Sequence, residues 1–381
     1  SSVKKGETLV KYSGTWYLKS KFFLYRGVSY FAFFLLPIWI QKILHIHTPF
    51  LIPLMVLYIA FIFAQWFLLG KEIDHRFKIY FRVNSSIDRV IYRILMGMFL
   101  TVIVFNFLYL LPSKWTYNGF WVFWSCLGVY YSWPTRGKII QESVSTNFNE
   151  FRHLDRFEKT LLFIILVMFV ISQPEMANFT NVEALKLFFD PKEKMSSYFW
   201  SFLTVNYFPF YKYPELFRLG WSLHFYYVGL GLYLTTAYAL FRYFFSRRLS
   251  LLGVFAIISS WSFSKILSAD YGSSISSSFD IIWFWSLLWI TKSSTYRVGL
   301  FQGLLTFWFS LLNLFGFWLG LLQLFLLRWN FSKLKTRWFQ NQFIKYSSFG
   351  LFLSLFVVFS TYGPSVKFAV NDSLEHWLIL K

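Results

Sequence analysis

Apolar runs long enough to cross a bilayer recur along the whole chain, and they constrain it more than any other feature. A hydrocarbon core of about 30 Å needs roughly 20 helical residues to cross it. The runs fall near 27–44, 50–69, 94–111, 117–133, 160–174, 220–241, 249–266, 279–291, 298–311, 313–327 and 346–361. Hydrophobic residues make up 56% of the 381-residue chain and charged residues 14%, against about 25% charged in an ordinary soluble domain. Lipid is the solvent that accounts for such a pattern. The expected fold is therefore all-α: a polytopic integral membrane protein of about 11 transmembrane helices. Several runs are shorter than the usual span, so they either extend into their flanks or re-enter the bilayer.

The net charge of +20 invites a nucleic-acid reading, but its placement argues against one. Basic residues sit in short connections between apolar runs, and every alternate connection carries them. With the N-terminus inside, the cytoplasmic segments hold 27 of the 37 Lys and Arg, including Lys71, Arg93, Lys159, Arg242, Arg247 and Arg248. That bias sets orientation, placing the N-terminus in the cytoplasm and the C-terminus outside. The 17 carboxylates divide almost evenly, so the inner face is strongly basic and the outer face close to neutral. A basic inner face also suits contact with anionic lipid. The bilayer is thus the first partner, and no nucleic acid is expected.

The polar loops gather on the outer face. Residues 175–219 contain Glu175, Glu183, Asp190, Glu193 and Glu215 beside apolar stretches such as Phe199-Trp200, a texture that suits amphipathic helices lying in the interface. A second outer segment, Ser268 to Asp280, is rich in Ser and Gly, and a tail from Thr361 to Lys381 is also outer. No cleaved signal peptide is expected, because the first residues lack a short apolar stretch with a small-residue cleavage site.

Soluble-enzyme chemistry is absent from the sequence: no phosphate-binding Gly loop, no dinucleotide fingerprint and no zinc-protease motif occurs. Six histidines leave little material for a metal site, and His45 and His47, two residues apart, do not share a helix face. The single cysteine, Cys126, lies in an apolar run, where a small packed residue is expected and no intrachain disulfide is possible. Ionisable residues at mid-span would mark a proton or ion path. Almost none occur, His224 being the nearest, which argues against a secondary transporter. What remains is a set of carboxylates at the outer ends of spans: Glu175 after the fifth, Asp270 after the seventh and Asp280 at the start of the eighth. Partial desolvation raises a carboxyl pKa and suits it to general-base work. A simpler role for each is to flank a helix end.

From about residue 157 to 362 the order of elements resembles the GT-C class of lipid-linked-sugar glycosyltransferases. One span is followed by the long outer loop 175–219 and then six more spans. The basic turn Phe241-Arg242-Tyr243-Phe244-Phe245-Ser246-Arg247-Arg248 and the run Val298-Gly299-Leu300-Phe301-Gln302-Gly303-Leu304-Leu305 carry the local likeness. Those enzymes place an acidic residue or an Asp-Glu pair early in the first outer loop; here the matching stretch is Glu175-Met176-Ala177-Asn178-Phe179, with one acid. The resemblance implies transfer of a sugar from a polyprenyl-phosphate donor to an acceptor on the outer face of a cell-envelope membrane, such as a bacterial inner membrane. It implies Glu175 as the base, Arg218 or Lys212 on the donor phosphate, and Asp270 orienting the acceptor or a divalent metal. His224 joins them as a substrate-side residue. No other cofactor is implied.

On this reading residues 1–150 form a four-span block, able to dock a membrane protein partner, and 151–381 form a seven-span GT-C-like module. The competing reading is a non-enzymatic scaffold or subunit of a larger membrane complex. Aromatic-rich spans with little polar chemistry, as here, pack on lipid or on partner helices.

Overall fold

The computed structural model describes residues 48–77, 86–109, 153–171, 214–260, 280–288 and 301–306, with shorter helical pieces within 119–130 and 318–352. Five longer helices are described: α1 (Thr48–Phe77), α2 (Ser86–Tyr109), α3 (Arg156–Ile171), α4 (Pro214–Arg242) and α5 (Arg247–Ser259). No strand occurs among the described residues. By length and composition one described helix, α1, is apolar enough to cross a membrane, over Met55–Asp74. The 16 residues of α3 and 13 of α5 fall short of the roughly 20 a crossing needs.

The closest packing is between α1 and α2. A Cβ on Gly70 would fall on the backbone carbonyl of Arg93, and one on Gly97 would fall on that of Trp66. Four residues back along α1 thus match four residues forward along α2, so the two helices run antiparallel with their backbones almost touching. Small residues at a helix crossing allow this approach and replace side-chain bulk with backbone contact. Around the crossing Tyr58, Ile62, Trp66, Tyr92 and Leu95 are buried. The edge of Phe63 meets the Trp66 ring at 5.4 Å between centroids. Helix α4 packs on both α1 and α2, so helices of the two sequence blocks share one core. The block boundary near residue 150 lies outside the described residues.

Helix α3 starts with a capping box. The Glu158 backbone N–H donates to Asp155 Oδ1 at 2.7 Å, and the Asp155 N–H donates to Glu158 Oε2 at 3.0 Å. Asp-x-x-Glu ahead of an apolar run satisfies two amides the helix start would otherwise leave without partners. Helices α4 and α5 are joined by a tight turn. The N–H groups of Phe244 and Phe245 both donate to the Phe241 carbonyl, at 3.0 and 2.8 Å, and Arg242 Nη1 donates to the Phe245 carbonyl at 3.1 Å.

Two expectations change here. The seventh apolar run was expected to be helical over 249–266, but α5 ends at Ser259, with Ser260 extended as its C-cap. The hydroxyls of Ser259 and Ser260 donate to the Phe255 and Ile257 carbonyls at 2.7 and 2.8 Å. Serine hydroxyls compete with backbone amides for such carbonyls and favour helix ends. Cys126 is exposed rather than packed. Its neighbour Trp124 takes the buried position on that segment instead.

Candidate functional site

Of the residues singled out from the sequence, Glu175, Asp270 and Lys212 lie outside the described residues. Arg218 and His224 lie on the first turns of α4. Six residues apart, they are separated by about 9 Å of rise and sit on different sides of the helix. Asp280 opens the helical segment 280–288 and is exposed.

The shared carboxylates and ion pairs of the described residues lie at the other ends of the helices, in three groups. In the first, Arg93 Nε and Nη2 donate to Asp74 Oδ2 at 3.2 and 3.1 Å, with both side chains about nine-tenths buried. The guanidinium also lies over the Phe67 ring, 5.7 Å from its centre. Arg93 is thus held by charge on one side and by an aromatic face on the other.

Asp88, at the start of α2 and only 2% exposed, forms the second group. Trp285 Nε1 donates to Asp88 Oδ1 at 2.7 Å, and the Tyr243 hydroxyl donates to Oδ2 at 3.2 Å. Burial and the neighbouring Asp88 carboxylate hold the Tyr243 phenol well above its ordinary range, so it stays protonated and keeps donating. Beside this group the edge of Tyr92 meets Phe301 at 4.9 Å. One carboxylate therefore ties together α2, the α4–α5 turn and the 280–288 segment.

The third group joins α3 to α5. Arg247 Nε and Nη2 donate to the two carboxylate oxygens of Glu158 at 2.7 and 2.6 Å, and Nη2 also reaches the His153 carbonyl at 2.8 Å. Arg248 pairs with Asp155 Oδ2. The Arg247 guanidinium holds the Glu158 carboxyl below its usual range, and the Glu158 backbone amide, with help from Arg248, does the same for Asp155. These contacts set the two helix starts side by side, so α3 and α5 run parallel. Two positive helix ends in contact repel. Two carboxylates placed between them offset that repulsion and also hold the arginines of α5.

Side-chain amides join the remaining segments. Gln323 Nε2 donates to Ser286 Oγ at 2.5 Å and to the Trp283 carbonyl at 3.2 Å, while Trp283 Nε1 donates to the Leu319 carbonyl at 3.0 Å. Gln302 Nε2 reaches Thr306 Oγ1 and the Gly320 carbonyl. Buried amide N–H donors matched in this way link segments at positions that apolar contact alone leaves free to slide.

Above these groups lies a half-open cavity of about 630 Å³ lined by residues of all five helices. Its walls are almost wholly apolar, with Phe63 of α1, Ile91 of α2, Leu166 and Phe169 of α3, and Val254 of α5 among them. The hydroxyl-bearing side chains in the lining are Tyr227, Thr235 and Tyr238, all on α4.

In the sequence Asp74, Asp88, Asp155 and Glu158 stand only as charges expected on the inner face. The Asp-x-x-Glu box was legible, because its spacing is local. The ties from Asp88 to Tyr243 and to Trp285 span 155 and 197 residues and leave no local signal. No protein-family model, curated protein or solved structure matches the chain.

Proposed function

We propose that this chain is a multi-pass membrane protein of about eleven spans, with a cytoplasmic N-terminus, and that its part from about residue 157 to 362 transfers a sugar. The donor is a polyprenyl-phosphate-linked sugar and the acceptor lies at the extracytoplasmic face. The observation that supports the membrane arrangement is the common level of the polar groups. The end of α1, the starts of α2, α3 and α5, and the turn after α4 meet through Asp74–Arg93, Asp88–Tyr243 and Glu158–Arg247. These are the ends that the loop charges assign to the cytoplasm. Antiparallel α1 and α2 and parallel α3 and α5 agree with the same alternation.

Sugar transfer rests on the resemblance of this part of the chain to GT-C glycosyltransferases and on the outer acids. Glu175 deprotonates the acceptor, Arg218 or Lys212 neutralises the donor phosphate, Asp270 orients the acceptor or a divalent metal, and His224 stands beside the substrate. The test is a transfer assay in membranes with polyprenyl-phosphate sugars, comparing the native chain with Glu175→Gln. Loss of transfer in the variant, with folded protein retained, supports the assignment; full activity removes Glu175 from the site.

A scaffold role in a larger membrane complex is the second reading. Large exposed apolar side chains, among them Phe163 at 66% and Trp329 at 72%, favour it, because partner helices as well as lipid can cover them. Absence of transfer with every donor, together with a stoichiometric membrane partner on purification, would select this reading.

A further inference from the structure

The cavity between the five helices is not needed for chemistry at the outer face, and its position points elsewhere. It reaches the polar end of the bundle at Ile87 of α2 and Leu251 of α5, and extends up α4 from Tyr238 to Tyr227, a rise of about 16 Å. At the polar end, basic residues continue the stripes that line it. Lys159 lies three residues before Leu162 on α3, and Arg242 lies four residues after Tyr238 on α4. Lys159 and Arg156 are exposed there. Between Arg242 and Arg247 the turn presents Phe244 and Phe245, 65% and 52% exposed. Exposed phenylalanines interleaved with arginines suit the boundary between headgroups and acyl chains.

We propose that this cavity seats one hydrocarbon chain of an anionic phospholipid from the cytoplasmic leaflet, with its phosphate held beside Lys159 and Arg242. The inference rests on the membrane arrangement proposed above, though not on sugar transfer. Apolar walls alone do not select a ligand inside a bilayer, since lipid tails are as apolar as the lining. Selection falls to the headgroup. Eight basic residues (Lys71, Arg89, Arg93, Arg156, Lys159, Arg242, Arg247, Arg248) against five acids (Glu72, Asp74, Asp88, Asp155, Glu158) among the described side chains at this end favour a net negative one. The volume lies within the range of pockets that bury most of a ligand's surface.

Gly231 gives a direct test, because it lines the cavity and a Cβ added there meets nothing within 4 Å. Full-length protein, stripped of lipid in detergent and offered phosphatidylglycerol or phosphatidylcholine, is weighed by native mass spectrometry. The expected result is one bound phosphatidylglycerol, favoured about tenfold or more over phosphatidylcholine. Gly231→Trp should lower occupancy by about tenfold at an unchanged melting temperature, and Lys159→Glu with Arg242→Gln should remove the headgroup preference. If Gly231→Trp does not fold, Leu166→Trp carries the same test, since Leu166 lines the cavity and is 53% exposed. Native occupancy in the filled-cavity variant, or equal binding of the two lipids, overturns the proposal. So does a wild-type protein that binds neither, because another stretch of this chain then fills the space. A chain that leaves membranes without detergent sinks the membrane arrangement itself, which separates the two failures.

Discussion

The α1–α2 pair and the α3–α5 pair both join acids to arginines, yet they are built differently. In the first the helices run antiparallel, glycines bring the backbones together, and the Asp74–Arg93 pair sits inside the contact with both side chains about nine-tenths buried. In the second the helices run parallel, no glycine contact draws them together, and the ion pairs are the contact at the helix starts. Arg248 is 65% exposed and Asp155 34%, while Glu158 is 3% exposed beneath Arg247. The first pair is therefore sensitive to shape and to leaving a buried charge without its partner. The second is sensitive to solution conditions. Burial, rather than the number of ion pairs, decides which interactions matter.

The largest expected effect comes from Arg93→Met, which leaves Asp74 buried without its cation. Removing one member of a buried pair costs about 3–5 kcal/mol, to be read as a loss of folded fraction in a thermal melt of the detergent-purified protein. Replacing both with apolar residues of similar size should restore much of that loss; failure to do so would mean that the pair itself, and not its desolvation, holds the helices. Next comes Gly97→Val. A side chain there collides with the Trp66 carbonyl, and overpacking of this kind costs about 1–3 kcal/mol or more. An unchanged melting temperature would show that α1 and α2 can separate freely.

On the other pair, Arg247→Gln removes the two hydrogen bonds to Glu158 and is expected to cost about 1.5–3 kcal/mol, whereas Arg248→Gln should give the smallest shift, because exposed pairs contribute little. Equal losses from the two would contradict the burial argument. The acids also set a pH dependence. Glu158 and Asp155 are held below their ordinary values of 4.5 and 3.8. Their stabilisation is complete above those values and is lost as pH falls through the lower folded ones. Stability of the native protein should therefore drop at acid pH, and the drop should shrink in an Arg247→Gln, Arg248→Gln double variant. An identical pH profile in the two proteins would mean that other carboxylates dominate.

Much of this comparison was open to reading in the sequence, but unevenly. Among the described residues, helix type and approximate position follow from the apolar runs, because an amphipathic or apolar run of this length is most simply satisfied as a helix. The capping box of α3 was readable from Asp155 and Glu158 alone. The early end of α5 was not, because Ser259 and Ser260 sit inside a run whose hydropathy continues past them. Gly70 and Gly97 gave no sign of being a pair, since antiparallel register depends on partners that local patterning does not encode. Glu175 and Asp270 stand out in the sequence because they follow apolar runs, while Asp88, which bridges three segments, reads as one more loop charge. Long-range hydrogen bonds are set by the tertiary fold, and one sequence does not display them.

The clasp between α3 and α5 also has a consequence for how the chain is assembled as it leaves the ribosome. Arg93 follows Asp74 by 19 residues, but Arg247 follows Glu158 by 89. At about 5–20 residues per second, the first pair is complete within roughly 1–4 s of the emergence of its acid, whereas the second waits roughly 4–18 s. Through that interval α3 has its own capping box but lacks the Arg247 guanidinium that pairs with Glu158. The α1–α2 pair can close while synthesis continues, and α3 must wait for α5. Until Arg247 arrives, the start of α3 rests on its capping box alone.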